Sequence, residues 1–199
     1  MRREESELEF ARVLAFSDGV FAIAITLLVL QLEVPEDVHN LGGELDDQLP
    51  DLFAFALSFA VLGRIWWSFH HRLFSCLGAF DGRLIALNFV YLALAVLVPF
   101  SSELMGDYGD TTEGVIVYAT NLGLLSLAGL AMIRYALHHG LMREDGSYRP
   151  DGGTVLIAAV FLASIPVAFI SPTAASLVWL LVFLGRTRLR GVADRIAGG

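Results

Sequence analysis

The chain has 199 residues, of which 56% are hydrophobic and 17% are charged, and its formal net charge is −8. A soluble domain of this size is about half apolar and about a quarter charged, so the composition points away from a soluble protein. The single cysteine, Cys76, excludes an intrachain disulfide. Because the sequence contains no nucleotide-binding loop, hydrolase triad or zinc motif, we expect neither an enzyme nor a nucleic-acid partner.

Several stretches of roughly 20 residues are almost free of charge, which is long enough to cross a hydrocarbon core of about 30 Å. We predict an all-α integral membrane protein with one domain, residues 1–199. Its six transmembrane helices, helix 1 to helix 6, are predicted at residues 12–34, 50–73, 83–102, 114–139, 154–171 and 173–189. Pro99 and Pro166 lie inside predicted helices, where we expect kinks. Gly106-Asp107-Tyr108-Gly109 is interpreted as a turn after helix 3.

The basic residues predict the orientation of these helices. All 13 are arginines, and they lie at or before the start of helix 1, at or after the second half of helices 2 and 4, or at or after the end of helix 6. The loops between helices 1 and 2, 3 and 4, and 5 and 6 contain none. Cytoplasmic loops carry an excess of basic residues, so we predict that both termini are cytoplasmic in a multi-pass protein of the cell membrane.

The opposite loops are acidic. The connection between helices 1 and 2 contains Glu33, Glu36, Asp37, Glu44, Asp46, Asp47 and Asp51, and the connection between helices 3 and 4 contains Glu103, Asp107, Asp110 and Glu113. These residues either keep the outer loops solvated or concentrate cations at a mouth, and the sequence leaves both interpretations open.

Helix 1 carries a carboxylate, Asp18, that is costly within a membrane unless it is paired or hydrated. At about 100° per residue, one narrow stripe of the helix contains Gly19, Ile23, Leu27, Leu30 and Val34. Asp18 lies roughly 140° from this stripe and Ser17 roughly 120° from it. We therefore predict that both polar residues face the bundle of their own subunit and hold helix 1 in place. An apolar stripe alone more often packs against lipid or another helix than lines a pore.

A series of motifs follows this segment in order. Arg12-x-x-x-Phe16-Ser17-Asp18 precedes Trp67-Ser68-Phe69-His70-His71-Arg72, Asp81-x-x-Leu84, Leu87-Asn88, Pro99-Phe100-Ser101 and Tyr118-Ala119-Thr120-Asn121. The series resembles the bacterial branch of the transmembrane-protein-175 potassium channels. The resemblance is clear through helix 4 and rests only on hydropathy in helices 5 and 6.

The resemblance implies a passive potassium-permeable cation channel, a homotetramer in the lipid bilayer whose central pore is lined by helix 1. Monovalent cations, with potassium as the permeant ion, would be its ligands, and no cofactor or metal is implied. Ile23 matches the position of the narrowest ring, Leu27 and Leu30 continue that face, and Thr26 matches a position that contributes to ion preference. Ala22 stands where the animal form has a serine, which implies weaker selectivity.

We expect a support network behind helix 1. Its predicted members are the signature residues Arg12, Phe16, Ser17 and Asp18, together with Arg64, Trp67, His70, His71 and Asn88. An Arg64–Asp18 contact is one hypothesis, because an intramembrane arginine needs a partner.

Two other functions compete with the channel. A proton- or cation-coupled transporter could use Asp18 and buried histidines as a relay, although transporters often contain internal repeats and none is visible here. The pairs His70-His71 and His138-His139 could ligate haem or a metal, but they lie near helix ends without accompanying carboxylates. We interpret the second pair as interfacial.

Overall fold

The structure, a computed structural model, describes residues 2–35, 38–143 and 153–180. Every regular element within those residues is helical. Helix 1 is Arg2–Leu27, continued by a 3-10 turn, Leu28–Gln31. Helix 2 has three consecutive parts: an α-helical part Leu49–Phe59, a π-helical segment Ala60–Trp67 and an α-helical part Ser68–Ser75. Helix 3 has two parts, Gly82–Val96 and Val98–Tyr108, and the remaining helices are helix 4, Thr112–His138, helix 5, Gly153–Ala168, and the start of helix 6, Pro172–Val178. A 3-10 turn, Val38–Asn40, and a short helix, Leu41–Asp47, connect helices 1 and 2.

Four of these helices are long and apolar enough to cross a membrane: Leu8–Gln31, Leu49–Ser75, Gly82–Tyr108 and Thr112–His138. Helix 5 is apolar but has 16 residues, which span about 24 Å. The predicted residues 181–189 of helix 6 lie outside the described part of the chain. The predicted all-helical membrane fold is therefore confirmed, and a six-span topology stays a prediction.

Two predicted boundaries differ from the structure by more than three residues. Helix 1 starts at Arg2 rather than near residue 12, because its charged first turns continue the helix without any hydropathy signal. Helix 3 extends to Tyr108, so the interpretation of the Gly106–Gly109 segment as a turn was wrong for its first three residues. A kink was expected at Pro99, and helix 3 is interrupted nearby at Leu97, with Pro99 as the second residue of its second half.

Local signals set several helix ends. The Asp81 carboxylate accepts a hydrogen bond from the Leu84 N–H at 2.8 Å and caps helix 3. Thr111 caps helix 4 by accepting from the Gly114 N–H at 3.2 Å. Helix 4 ends where Gly140 adopts φ 63°, and the following Leu141 N–H donates to the Ala136 carbonyl at 2.9 Å. This is the Schellman arrangement that a left-handed glycine permits.

Helix 4 lies at the centre of the bundle and packs against helices 3 and 5. Tyr118 and Leu122 of helix 4 are fully buried, as is Phe161 of helix 5. A Cβ atom on Gly123 would lie 2.6 Å from the Leu162 side chain, so this glycine allows helices 4 and 5 to approach closely. Helix 1 packs against helices 2 and 3.

Candidate functional site

Helix 1 has two distinct faces. Phe21, Ala24 and Leu28 are buried in the bundle, whereas Ile23 is 61% and Leu30 is 74% exposed. Helix 1 is also the most apolar of the four long helices. Only 22% of its most apolar 18-residue stretch is buried inside the protein, compared with 56% of the corresponding stretch of helix 4. In a membrane protein, an uncovered apolar face of this kind can contact lipid, further chains or an ion path.

A chain of buried hydrogen bonds holds the covered face. The Asn88 amide donates to the Ser17 hydroxyl at 3.0 Å, and Ser17 donates to the Val13 carbonyl at 2.8 Å. The Asn88 carbonyl oxygen lies 2.8 Å from His70 Nε2, and because an amide oxygen can only accept, His70 must donate here. Ser17, His70 and Asn88 are all buried, so this chain ties helix 1 to helices 2 and 3 away from solvent.

The same series of hydrogen bonds indicates the charge of the His70 ring. Its other ring nitrogen, Nδ1, is buried without a partner among the described residues. A protonated ring would leave an N–H stranded there, which is costly in a protein interior, whereas a neutral ring leaves only a lone pair. His70 is therefore suited to a neutral structural role, and it stacks on Phe74 with ring centroids 4.2 Å apart.

Asp18 is anchored at the edge of helix 1. The Trp67 indole N–H donates to its Oδ1 atom at 3.1 Å, and the His71 ring stacks on Trp67 at 5.8 Å. Asp18 is half-buried while Ile23 is exposed. The two polar signature residues, Ser17 and Asp18, thus point away from Ile23, as the helical geometry predicts.

The other predicted members of the network are Arg12, Phe16 and Arg64. Arg12 is exposed, and no hydrogen bond or ion pair joins it to the network within the described residues. It lies eleven residues before Ile23, which places it roughly 20° from Ile23 around the helix. Phe16 is also exposed and packs on Phe89 of helix 3 at 5.7 Å. The side chain of Arg64 lies outside the described part, and with it the predicted Arg64–Asp18 contact.

Thr26 and Leu27 share the exposed side of helix 1 with Ile23. The Thr26 hydroxyl donates to the Ile23 carbonyl at 2.9 Å, so its proton is engaged by the backbone. Its oxygen lone pairs stay available on the exposed side, where they can accept from water or face a cation.

An acidic surface lies beyond the C-terminal end of helix 1. An open cavity of about 590 Å³ there is lined by Glu33, Val34, Pro35, Glu44, Asp47 and Gln48. The structure thus brings carboxylates of the helix 1–2 connection close together, whereas Glu36 and Asp37 lie outside the described residues. Steering of cations by this surface stays a hypothesis.

Sequence reasoning missed a second buried polar cluster between helices 2, 3 and 4. The Ser58 hydroxyl lies 2.9 Å from Ser102 and 2.8 Å from the Tyr118 hydroxyl. Asn121 donates to Ser101 at 2.9 Å. Three of these residues, Ser101, Tyr118 and Asn121, occur in the motifs after helix 2, but nothing in the sequence indicates that they meet. The sequence offers only a general expectation for this cluster, which is that polar side chains within membranes find partners on neighbouring helices.

The fold defines a helical membrane protein, and the comparison with known proteins gives its family. The family model described as "Endosomal/lysosomal potassium channel TMEM175" matches residues 12–99. A potassium channel from Streptomyces collinus is 37% identical over 144 residues, which cover 71% of this chain and 69% of that protein. The chain therefore belongs to the TMEM175 channel family.

Two matches from Chamaesiphon minutus, one by sequence and one by structure, extend the comparison. A potassium channel of this organism is 41% identical over 104 residues, which cover 50% of this chain and 51% of that protein. A crystal structure described as a lysosomal potassium-selective channel TMEM175 homolog matches with a TM-score of 0.75 at 29% identity, and the match covers 91% of this chain and 98% of that chain. The resemblance inferred from the motifs is confirmed.

Proposed function

We propose that this chain is one subunit of a potassium-permeable channel in which the exposed face of helix 1 lines the ion path. The observation that carries the proposal is the contrast between the two faces of helix 1. One face is fixed by Ser17 and Asp18, and the other leaves Ile23, Leu27 and Leu30 uncovered. Membership in a family of potassium channels favours passive conduction over coupled transport.

Four copies of the chain around one axis would complete such a path. The exposed side of helix 1 that carries Ile23 also carries three small residues, Ala15, Gly19 and Ala22. Small residues let membrane helices approach closely. A ring of four Ile23 side chains offers no polar group to replace an ion's hydration shell, so it can control conduction by dewetting. Thr26, one turn away, would contribute to ion preference.

The transporter alternative receives less support from the geometry. A relay through the histidines needs groups that exchange protons, but buried His70 fits a neutral ring hydrogen-bonded to Asn88. Within the described residues, the hydrogen-bond partner of Asp18 is the Trp67 indole, which does not titrate. Both arrangements suit fixed positioning of helix 1.

Potassium flux through the purified protein in liposomes tests the proposal. Under a potassium gradient we expect passive, ATP-independent flux that follows the gradient and exceeds sodium flux under matched conditions. Flux that instead requires a proton gradient would favour the transporter.

We further propose six membrane spans with both termini in the cytoplasm, on the strength of the arginine distribution. Reporter fusions should read as external at Gly42, Gly109 and Pro172, and as cytoplasmic at Gly82, Gly146 and Gly199. A cytoplasmic signal at Gly42 would contradict the orientation of helices 1 and 2. A cytoplasmic signal at Pro172 alone would instead remove helices 5 and 6 as separate spans.

A further inference from the structure

A groove between helices 3 and 4 lies apart from helix 1 and from the polar network. Ala86, Leu87 and Val90 of helix 3 and Tyr135 of helix 4 line it, together with Arg83 at one end, and its volume is about 320 Å³. Residues 83 to 90 rise about 10 Å along the helix axis. The groove is open on its outer side, so a slender apolar chain could lie in it along helix 3.

Arg83 gives this apolar groove one charged end. It occupies the second position of helix 3, where the proposed topology places the boundary between cytoplasm and membrane. An arginine at such a boundary can lay its aliphatic stem along the apolar surface and hold its guanidinium among the lipid headgroups. The groove therefore combines an apolar wall and a cationic end at the depths where a phospholipid has its acyl chain and its phosphate.

The nearby Asp81 carboxylate does not occupy the Arg83 end of the groove. Asp81 accepts from the Leu84 N–H through Oδ1 at 2.8 Å and from the Tyr135 hydroxyl through Oδ2 at 2.6 Å. The Tyr135 hydrogen bond holds the pKa of the Asp81 carboxyl below its usual range, so this group is ionised and engaged in capping helix 3. Arg83 lies beside the Tyr135 hydroxyl, which leaves guanidinium donors for a ligand outside the bundle.

We propose that this groove binds one anionic phospholipid of the cytoplasmic leaflet, with its phosphate on Arg83 and an acyl chain against Ala86, Leu87 and Val90. The guanidinium fork matches the geometry of phosphate oxygens, and basic sites between membrane helices on the cytoplasmic side suit lipid headgroups. The leaflet depends on the proposed topology, but binding itself depends on neither topology nor conduction. Its test can therefore fail or succeed independently of the channel proposal.

Lipid binding to the full-length protein in detergent, followed by native mass spectrometry and thermal stabilisation, tests the site. Phosphatidylglycerol should bind and raise the thermal midpoint more than phosphatidylcholine, and Arg83→Gln should weaken phosphatidylglycerol binding about tenfold. Val90→Trp, which fills the groove, should weaken it too. Arg134→Gln removes an exposed arginine of helix 4 that does not line the groove, so this control should bind as the original chain does.

Several results would overturn the proposal. Equal binding of the two lipids, or equal loss in Arg83→Gln and Arg134→Gln, would show a diffuse basic surface instead of a site. Displacement of the lipid by glycerol phosphate without acyl chains would show that the groove takes no part. Loss of subunit assembly in Val90→Trp, with lipid binding retained, would show that a second copy of the chain covers the groove.

Discussion

Replacing Ile23 by asparagine should raise potassium flux through reconstituted protein on the order of tenfold and reduce its preference over sodium. In the proposed channel an apolar ring opposes ions because it cannot replace their hydration shell, and four amide side chains would hydrate it. A tenfold change corresponds to about 1.4 kcal/mol of barrier. Ile23→Ala should act in the same direction more weakly, because it widens the ring without adding polar groups. Flux assays with potassium and sodium gradients measure both effects.

Leu28→Asn is the matched control for this experiment. Leu28 lies on the same helix but is fully buried, whereas Ile23 is exposed. Loss of a core leucine costs about 2–5 kcal/mol, and an unpaired buried amide adds to that cost. The control should therefore lower the thermal stability and the yield of folded protein, with little change in flux per folded channel. Equal changes in flux at both positions, or none at Ile23, would contradict the assignment of this face to the pore.

Asn88→Ala should destabilise the protein and change conduction together. Interhelical hydrogen bonds within membrane proteins average only about 0.6 kcal/mol, so the larger effect is the His70 N–H that loses its acceptor, at about 1–3 kcal/mol. Helix 1 also loses its buried link through Ser17. The thermal midpoint should fall, and flux per folded channel should change because the pore-lining helix is no longer fixed.

Asn121→Ala provides the comparison for Asn88→Ala. Asn121 is a second buried asparagine, and it donates to Ser101 rather than to helix 1. Ser101 still donates its own proton to the Val98 carbonyl at 3.1 Å, so no donor is stranded. We expect a smaller fall in stability and unchanged flux per folded channel. A change in flux as large as that of Asn88→Ala would show that conduction follows general stability rather than the position of helix 1.

Local periodicity explains which parts of this site could be predicted. The helical repeat alone places Ser17 and Asp18 on the opposite side of helix 1 from Ile23, and the structure has the same arrangement. The same geometry places Arg12 near Ile23, so its membership in the network stays a prediction. The motif resemblance had suggested that membership, and it gives no direction for a side chain.

Contacts between distant segments could not be predicted in the same way. Hydropathy identifies the long helices but not which ones are neighbours, so the meeting of Ser58 with Ser102 and Tyr118 had no sequence signal. The π-helical segment of helix 2, Ala60–Trp67, was also missed. Its composition does not distinguish it from an ordinary helical segment, so hydropathy gives no signal for the wider winding.

Block of potassium flux by a thiol reagent at position 23 tests most directly whether helix 1 lines the ion path. Cys76 is the only cysteine, so Cys76→Ser gives a background in which Ile23→Cys and Leu28→Cys each carry one thiol. In liposomes under a potassium gradient, a small cationic thiol reagent should abolish flux through Ile23→Cys and leave Leu28→Cys conducting. Conduction by fully modified Ile23→Cys at the unmodified rate would contradict the account.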